Sequence, residues 1–524
     1  MADKDRDKAF FGHPAGLKTL FFTEMWERFS YYGMRAFLIL FLAAPKSLGG
    51  MDMFELDKAG EQIPSPGASA IVGMFGASVY LLGLPGGWIA DRFLGQRKAI
   101  IFGGMGIAIG NAILAIPGLG DGFYIGLVFI AFGTGFLKPN ISSLVGQLYS
   151  DHDVRRDSGY TIYYMGINIG ATIAPIVCGY LATDNSFRAF LTEKGIDPNV
   201  CWNFAFGAAA LGMVGGLIQF VVGQRVFGDA GKHPTVPTDP VAANRDRTVL
   251  KAVIAALVGL GVLIAVTRPS GDIISNTMGI GLIIGSIALF YGLYRSGRDA
   301  KEKRGILAMI PLYLGAIGFF GIFEQAPTTL NIFASEYTDR NLLGVNIEAP
   351  YYQSVNAVFI VILAPVMAYV WVRLARVNKE PSSVNKFAIG MLLVALAFVV
   401  MLPAAGATQK NPVSGGFLIG LYFFYTLAEL FISPVGLSSM SKLAPKRLGG
   451  MVMGIWFLGT SIGIYLAGRA TTISSGRSFA FLFNFLMISA VVMAIGLFII
   501  APRIRRMMEK DAPAPLPKAT VEKD

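Results

Sequence analysis

Apolar runs of about 20 residues recur from one end of this chain to the other, and no other feature narrows its fold as much. A run of that length crosses the hydrocarbon of a bilayer as a helix, because in lipid every backbone N–H and C=O must be bonded within the segment. Roughly fourteen such runs can be read. Six centre on Ile39 (beginning near Gly16), Tyr80, Ile107, Phe129, Ile169 and Gly212, and two more cover 248–267 and 273–295. The last six centre on Gly318, Val361, Val394, Phe424, Ile462 and Ala490. The predicted fold class is an all-α membrane protein with two six-helix halves and two additional helices inserted between them. Its expected divisions are an N-terminal six-helix bundle over 16–224, a linker and two inserted helices over 225–303, a C-terminal six-helix bundle over 304–502 and a disordered cytoplasmic tail over 503–524.

Composition agrees. Of 524 residues 54% are hydrophobic and 15% charged, against about a quarter charged in ordinary soluble domains. A soluble enzyme does not fit, nor does a secreted disulfide scaffold, for which two cysteines, Cys178 and Cys201, are too few. The net charge of +11 invites a nucleic-acid reading, but the placement of the charges argues against it. With the N-terminus in the cytoplasm, inner loops and termini hold about 32 Lys and Arg and outer loops about 9, as the positive-inside rule requires. An even number of spans returns the C-terminus to the same side. Residues 1–8 alternate in charge and the first apolar run is too long for a signal-peptide core, so no cleaved leader is expected.

The informative residues are ionisable groups inside apolar runs: Glu24, Glu27, Arg28, Arg35, Lys138, Glu324 and Glu429. Facing lipid, each would cost about 3 kcal/mol, on the order of 20 kcal/mol together. They must therefore face a polar cavity and one another, and three cations against four anions leave the set near neutrality. Glu24, Glu27, Arg28, Tyr31 and Arg35 fall at i, i+3, i+4, i+7 and i+11, one face of a helix. That stripe rises about 16 Å, half the hydrocarbon thickness. Such a stripe is too costly for packing alone and reads as functional.

Lys138 precedes Pro139, Glu324 stands near Pro327, and Glu429 precedes Pro434. A proline removes a helix hydrogen bond, so these are candidate kinks or breaks with freed carbonyls beside a charge, where transporters place substrate and ion sites. His13, His152 and His233 all fall in termini or loops, so no intramembrane imidazole is available. Any proton coupling would then have to use carboxylates whose proton affinity is set by burial and by Arg28, Arg35 or Lys138. There is no Walker lysine loop, no metal-ligand spacing and no nucleophile paired with a base, so neither an enzyme nor an ATP-driven pump is expected. Two glycine pairs, Gly106 with Gly110 and Gly281 with Gly285, predict close helix packing.

Two six-helix halves resemble the major facilitator transporters. The stretch from Gly87 to Lys98, Gly-Trp-Ile-Ala-Asp-Arg-Phe-Leu-Gly-Gln-Arg-Lys, resembles that superfamily's signature between its second and third helices. There Asp91 and Arg92 would form a gating latch at the cytoplasmic face. Within the fourth helix Lys138-Pro139-Asn140-Ile141-Ser142-Ser143-Leu144 is similar to the run from Ser433 to Met440 in the other half, as an internal repeat would give.

The run from Glu24 to Gly33, Glu-Met-Trp-Glu-Arg-Phe-Ser-Tyr-Tyr-Gly, matches the ExxERFxYYG motif of the proton-dependent oligopeptide transporter (POT/PTR) family throughout. Gly135-Phe136-Leu137-Lys138-Pro139-Asn140 resembles the family's fourth-helix motif. Tyr163-Tyr164-Met165-Gly166-Ile167-Asn168-Ile169-Gly170 resembles its FYxxINxG signature, with Tyr163 in place of the usual Phe. Gln353-Ser354-Val355-Asn356 and the run from Glu429 to Pro434 look like later motifs, and the two inserted helices look like the bacterial members.

The resemblance implies a proton-coupled symporter importing di- and tripeptides by alternating access, with protons as coupling ion and no cofactor or metal. Glu24, Glu27 and Arg28 would couple protons, with Lys138 pairing a carboxylate of that motif in one state and Glu324 making or breaking an ion pair between the halves. Arg35, Lys138 and Arg28 would hold the peptide carboxylate and Glu429 its ammonium. Asn168 and Asn356 would bond the peptide backbone, and Tyr31, Tyr32, Tyr80 and Trp456 would line side-chain pockets. Phe320 stands where many members have Trp, and no second-helix His is present, so coupling through such a His does not carry over. The same resemblance implies a bacterial inner membrane; the loop charges place both termini in the cytoplasm, and function as a monomer with the inserted helices as a peripheral spacer is expected. Two alternatives stay open: the same fold carrying nitrate or another small solute, and a peptide receptor that does not transport.

Independently of the family, a short peptide at neutral pH is a zwitterion. A cavity with Arg35 and Lys138 on one half and Glu429 on the other complements both its ends.

Overall fold

The computed structural model describes residues 9–56, 62–150, 153, 155–235, 239–267, 270–407, 409–443, 448–474 and 477–509. Among these, twelve helices are long and apolar enough to cross a membrane. The first-half helices are α1 (Ala15–Ala43), α2 (Pro66–Leu94), α3 (Gln96–Leu114), α4 (Gly122–Gly146), α5 (Arg156–Thr183) and α6 (Cys201–Gly223). The inserted pair is α7 (Pro240–Thr267) and α8 (Gly271–Ser296). The second half holds α9 (Ala300–Phe323), α10 (Tyr352–Arg376), α11 (Ser383–Met401), α12 (Gly416–Leu443), α13 (Gly449–Ser474) and α14 (Phe479–Glu509). α1 and α7 bring the twelve spans to fourteen long helices, and α1 stands apart because its stripe of charge interrupts the apolar run. The protein is a multi-pass membrane protein of two six-helix halves with two further helices between them.

α14 continues to Glu509, past the expected boundary at 502; the rest of the expected tail, 510–524, lies outside the described residues, as does His152.

The two halves repeat one packing scheme. The pairs α1–α5, α1–α6, α2–α4, α3–α4 and α3–α6 recur as α9–α13, α9–α14, α10–α12, α11–α12 and α11–α14. An internal repeat is thus visible in helix pairing, where sequence offered only one short match. The halves meet along two seams, α2 against α13 and α5 against α10. At the first seam the backbones nearly touch: a Cβ added at Gly73 would stand 2.7 Å from the Cα of Gly468, and the reverse is equally close. Only two glycines allow that crossing. Gly73→Ala is therefore expected to force the helices apart at a cost of about 1–3 kcal/mol, read as a fall in the unfolding temperature of the detergent-solubilised protein. Gly285→Ala is the control, since its nearest neighbour, Leu458, is 4.0 Å away, and it should hold or raise that temperature. Equal behaviour of the two variants would remove the seam argument.

That control corrects an expectation. Gly106 and Gly110 do pack closely on α4, but Gly281 meets nothing within 4 Å, so the second glycine pair marks no helix crossing. α8 buries another face, carrying Ser275, Gly279, Leu282 and Ser286.

The three charge–proline neighbourhoods also differ. α4 runs unbroken through Pro139, with Asn140 Nδ2 donating to Phe136 O at 2.7 Å and Ser142 Oγ to Lys138 O at 3.2 Å. α12 likewise runs through Pro434. Only α9 breaks: it ends at Phe323, Glu324 caps it, and a short helix Thr329–Glu336 follows. The break is held by buried Gln325, whose Nε2 donates to Gly321 O and Ala467 O, both at 3.2 Å, while its Oε1 accepts from Thr329 Oγ1 at 2.7 Å. Gln325 thereby bonds Gly321 O, whose usual i+4 N–H partner turns instead to Ile322 O at the break, as lipid-buried backbone demands.

Candidate transport cavity

α1 supplies one wall of a cavity of about 290 Å³ between the halves. Its charges are almost wholly withdrawn from solvent: Glu24 is 2% exposed, Glu27 0%, Arg28 3% and Arg35 8%. Arg28 holds the stripe together, with Nε 3.0 Å from Glu24 Oε1 and also paired with Glu27 Oε2. Its guanidinium lies 5.5 Å from the Tyr31 ring and 5.9 Å from that of Tyr32. α5 can approach α1 this closely because Gly170 has no side chain; a Cβ there would meet Met25 O at 2.4 Å and Arg28 Cβ at 3.0 Å.

Three elements complete the charged lining. Lys138, on α4, places its ammonium 3.9 Å from the centre of the Tyr80 ring. It makes no ion pair with a carboxylate among the described residues. Arg35 is paired across the halves with Glu324, at the α9 break. On α12, Glu429 accepts a hydrogen bond from Asn356 Nδ2 at 3.1 Å, and the same nitrogen lies 3.1 Å from Thr426 Oγ1. Cations on the first half thus face Glu429 on the second across the cavity.

Nine of the residues singled out from sequence line this space: Glu24, Arg28, Tyr32, Arg35, Lys138, Asn168, Glu324, Asn356 and Glu429. Others stand behind them. Glu27 lies beneath Arg28, Tyr31 stacks on Phe75 with centroids 6.4 Å apart, and Tyr80 serves as the platform for Lys138. Trp456 is packed edge-on to Phe320 and against Gly436, off the cavity wall in this conformation. The two asparagines are engaged already, Asn168 Nδ2 with Tyr164 O at 2.9 Å and Asn356 with Glu429. Each keeps its carbonyl oxygen as an acceptor.

Sequence reasoning did not single out Tyr164, Ser142, Gln353 and Tyr422, which also line the cavity. Tyr164 and Gln353 lie within the Tyr163–Gly170 and Gln353–Asn356 runs, so their neighbours there are a signal. Tyr422 falls on the cavity-facing side of α12 seven residues before Glu429, two helical turns away.

On one side the cavity is closed by bonds between the halves. Asn331 Nδ2 and Gln353 Nε2 both donate to Ala36 O, at 2.6 and 3.0 Å, and Ser354 Oγ donates to Thr172 O at 2.7 Å. These lie with the Arg35–Glu324 pair toward the C-terminal end of α1. Asp91 and Arg92 lie at the opposite end and hold the linker before α7: Thr235 N donates to Asp91 O at 2.7 Å and Arg92 Nη1 to Thr235 O at 3.3 Å.

Comparison with known proteins agrees with this geometry. The sequence profile of the POT family (PTR2) matches residues 97–481. The chain is 39% identical to "Peptide transporter YePEPT" of Yersinia enterocolitica subsp. palearctica serotype O:3 (strain YE-P4), over 88% of each chain. It is 34% identical to a "Di-/tripeptide transporter" of Lactococcus lactis subsp. cremoris, over 96% of this chain and 98% of that one. Among solved structures it resembles a mutant of a peptide transporter POT in complex with alafosfalin, with TM-score 0.84, 36% identity and coverage of 96% and 97%. It also resembles a POT family transporter in complex with 5-aminolevulinic acid, with TM-score 0.84, 32% identity and coverage of 95% and 98%.

Proposed function

The chain belongs to the POT family, and from that premise we propose that it imports di- and tripeptides together with protons by alternating access of its two halves. It is a transporter rather than an enzyme. The observation that carries the peptide reading is the distribution of charge around the cavity, with Lys138 on one half and Glu429 on the other. With Arg35 already paired to Glu324, Lys138 is the cation ready to receive a peptide carboxylate, and Glu429 the anion ready for its ammonium. Relatives named as di- and tripeptide transporters support the same cargo.

A peptide spanning the cavity bonds to both halves at once, which favours the state in which they are close. A competing carboxylate near Arg35 weakens its hold on Glu324, so cargo and outer closure are linked through one guanidinium. A ligand shifts such an equilibrium only through its differential affinity for the two states. Protons enter through Glu24 and Glu27, since neutralising either releases Arg28 from one of its partners. We place the protein in a bacterial inner membrane, both termini cytoplasmic, working as a monomer.

The test is uptake of labelled dialanine into proteoliposomes with an inward proton gradient, without one, and with a protonophore. Accumulation that needs the gradient is expected; equilibration regardless of gradient would retain the cargo and remove the coupling, and binding without entry would mark a receptor. Glu429→Gln is expected to weaken dialanine binding by about 2–5 kcal/mol, roughly 30-fold or more. N-acetyl-dialanine, which has no ammonium, should bind both proteins alike. If Glu429→Gln left dialanine untouched while a small anion such as nitrate was carried, the peptide reading would give way to the anion reading.

A further inference from the structure

The linker between α6 and α7 is fastened to the first half by a set of directed bonds. Arg97 donates from Nε to Ala230 O at 2.7 Å, from Nη2 to Gly228 O at 2.5 Å and from its backbone N to Gly231 O at 3.0 Å. Gly231 N donates to Gln147 Oε1 at 2.8 Å, and Thr235 N to Asp91 O. Positive φ at Gly228 and Gly231 lets the linker turn tightly enough to present those carbonyls. One further contact extends the clasp into α7: Asp246, 7% exposed, faces Arg92 Nε at 3.5 Å.

α8 is fastened elsewhere. It lies along α13, with Gly279 against the Tyr465 ring and Asp272 3.6 Å from Arg469 Nη1. Ser286 Oγ and Tyr313 OH of α9 are 2.5 Å apart. Between the two attachments stands α7. Asp246 is its one buried side chain among those described, and no extended packing joins it to another helix among the described residues.

We propose that the inserted pair is a strap between the halves: the linker and the start of α7 travel with the first half, α8 travels with the second, and α7 is the part that yields. A rigid hairpin could follow only one half, whereas two fixed ends and a sparsely packed middle can follow both. The strap lies on the side of the α2–α13 seam, where α8 packs chiefly on α13 and α9 of the second half and more lightly on α2. The α5–α10 seam has no such cover among the described residues, so resistance to separation is one-sided. The inference needs two moving halves and does not depend on peptide being the cargo.

Distances between spin labels on cysteines placed at Ile109 (α3), Val249 (α7), Ile280 (α8) and Ile488 (α14) test it in the full chain, because all four side chains face outward while Cys178 and Cys201 are buried. The comparison is between the protein with Glu324 intact and Glu324→Gln, which lacks the charged pair across the halves. The pairs Ile109–Val249 and Ile280–Ile488 should keep their distances, while Ile109–Ile488 and Val249–Ile280 change together. A constant Val249–Ile280 distance while Ile109–Ile488 changes would overturn the strap and leave a rigid hairpin riding on one half. Should Glu324→Gln leave the halves in place, the clasp still decides the matter: Arg97→Ala with Gln147→Ala should broaden the Ile109–Val249 distribution. A distribution as narrow as before would sink the proposal. Asp246→Asn, read by the same pair, replaces that double variant if it does not fold.

Discussion

Glu27→Gln is expected to abolish proton-driven accumulation of dialanine while leaving exchange of internal for external peptide intact. Glu27 is fully buried, off the cavity wall, with Arg28 as its ionic partner. Glutamine keeps the shape and a hydrogen-bonding oxygen but can neither take up nor release a proton. The cavity-lining charges Lys138 and Glu429 are untouched, so cargo should still bind and the halves should still rock. What is lost is the link between peptide movement and proton movement. A gradient of one pH unit is worth about 1.4 kcal/mol per proton, which supports about tenfold accumulation when one proton accompanies each peptide. In the variant the ratio should fall to about one, the value for passive equilibration. Undiminished gradient-driven accumulation by Glu27→Gln, with normal sensitivity to a protonophore, would move the coupling role to another carboxylate.

The pair Arg35–Glu324 should show the largest non-additivity in the protein. Both side chains are buried, and they join the halves where α9 breaks. Arg35→Ala leaves a buried carboxylate without its partner, and Glu324→Ala leaves a buried guanidinium without one. Each single change is expected to destabilise the protein by about 3–5 kcal/mol, because an unpaired buried charge loses its compensation and keeps its desolvation penalty. The double change removes both charges and should cost less than the sum, with an interaction energy of about 0.5–3 kcal/mol. Unfolding temperatures of the four proteins in detergent give that cycle directly. Strict additivity would mean the pair does not act as a unit. Transport should not return in the double variant, because in the proposed cycle this contact between the halves opens and closes one side of the cavity.

Helix count and the polar face of α1 could be read without coordinates because each depends on one segment and its solvent. Lipid requires about 20 apolar residues per span, and a helix places Glu24, Glu27, Arg28 and Arg35 on one face wherever it is put. The seven membrane-embedded charges could be listed for the same reason. Their partners could not. Arg35 and Glu324 stand 289 positions apart in the chain, and Asn356 and Glu429 stand 73 apart; no periodicity relates such residues. Nor could sequence tell that Lys138 rests on Tyr80, or that Trp456 packs on Phe320 behind the wall. Proline alone did not say which helix breaks: α4 and α12 run through theirs, while α9 ends ahead of Pro327, where Gln325 takes up the Gly321 carbonyl. The role of the Gly87 to Lys98 turn was only partly legible: its basic residues marked a latch, but its hold on the linker depends on carbonyls at 228–231 that bear no side-chain signature. Which residues must avoid lipid is an energetic property of each segment and could be read from the chain alone. Which of them meet, and which face the cavity, was decided by helix packing, because those distances exist only once the two halves are assembled.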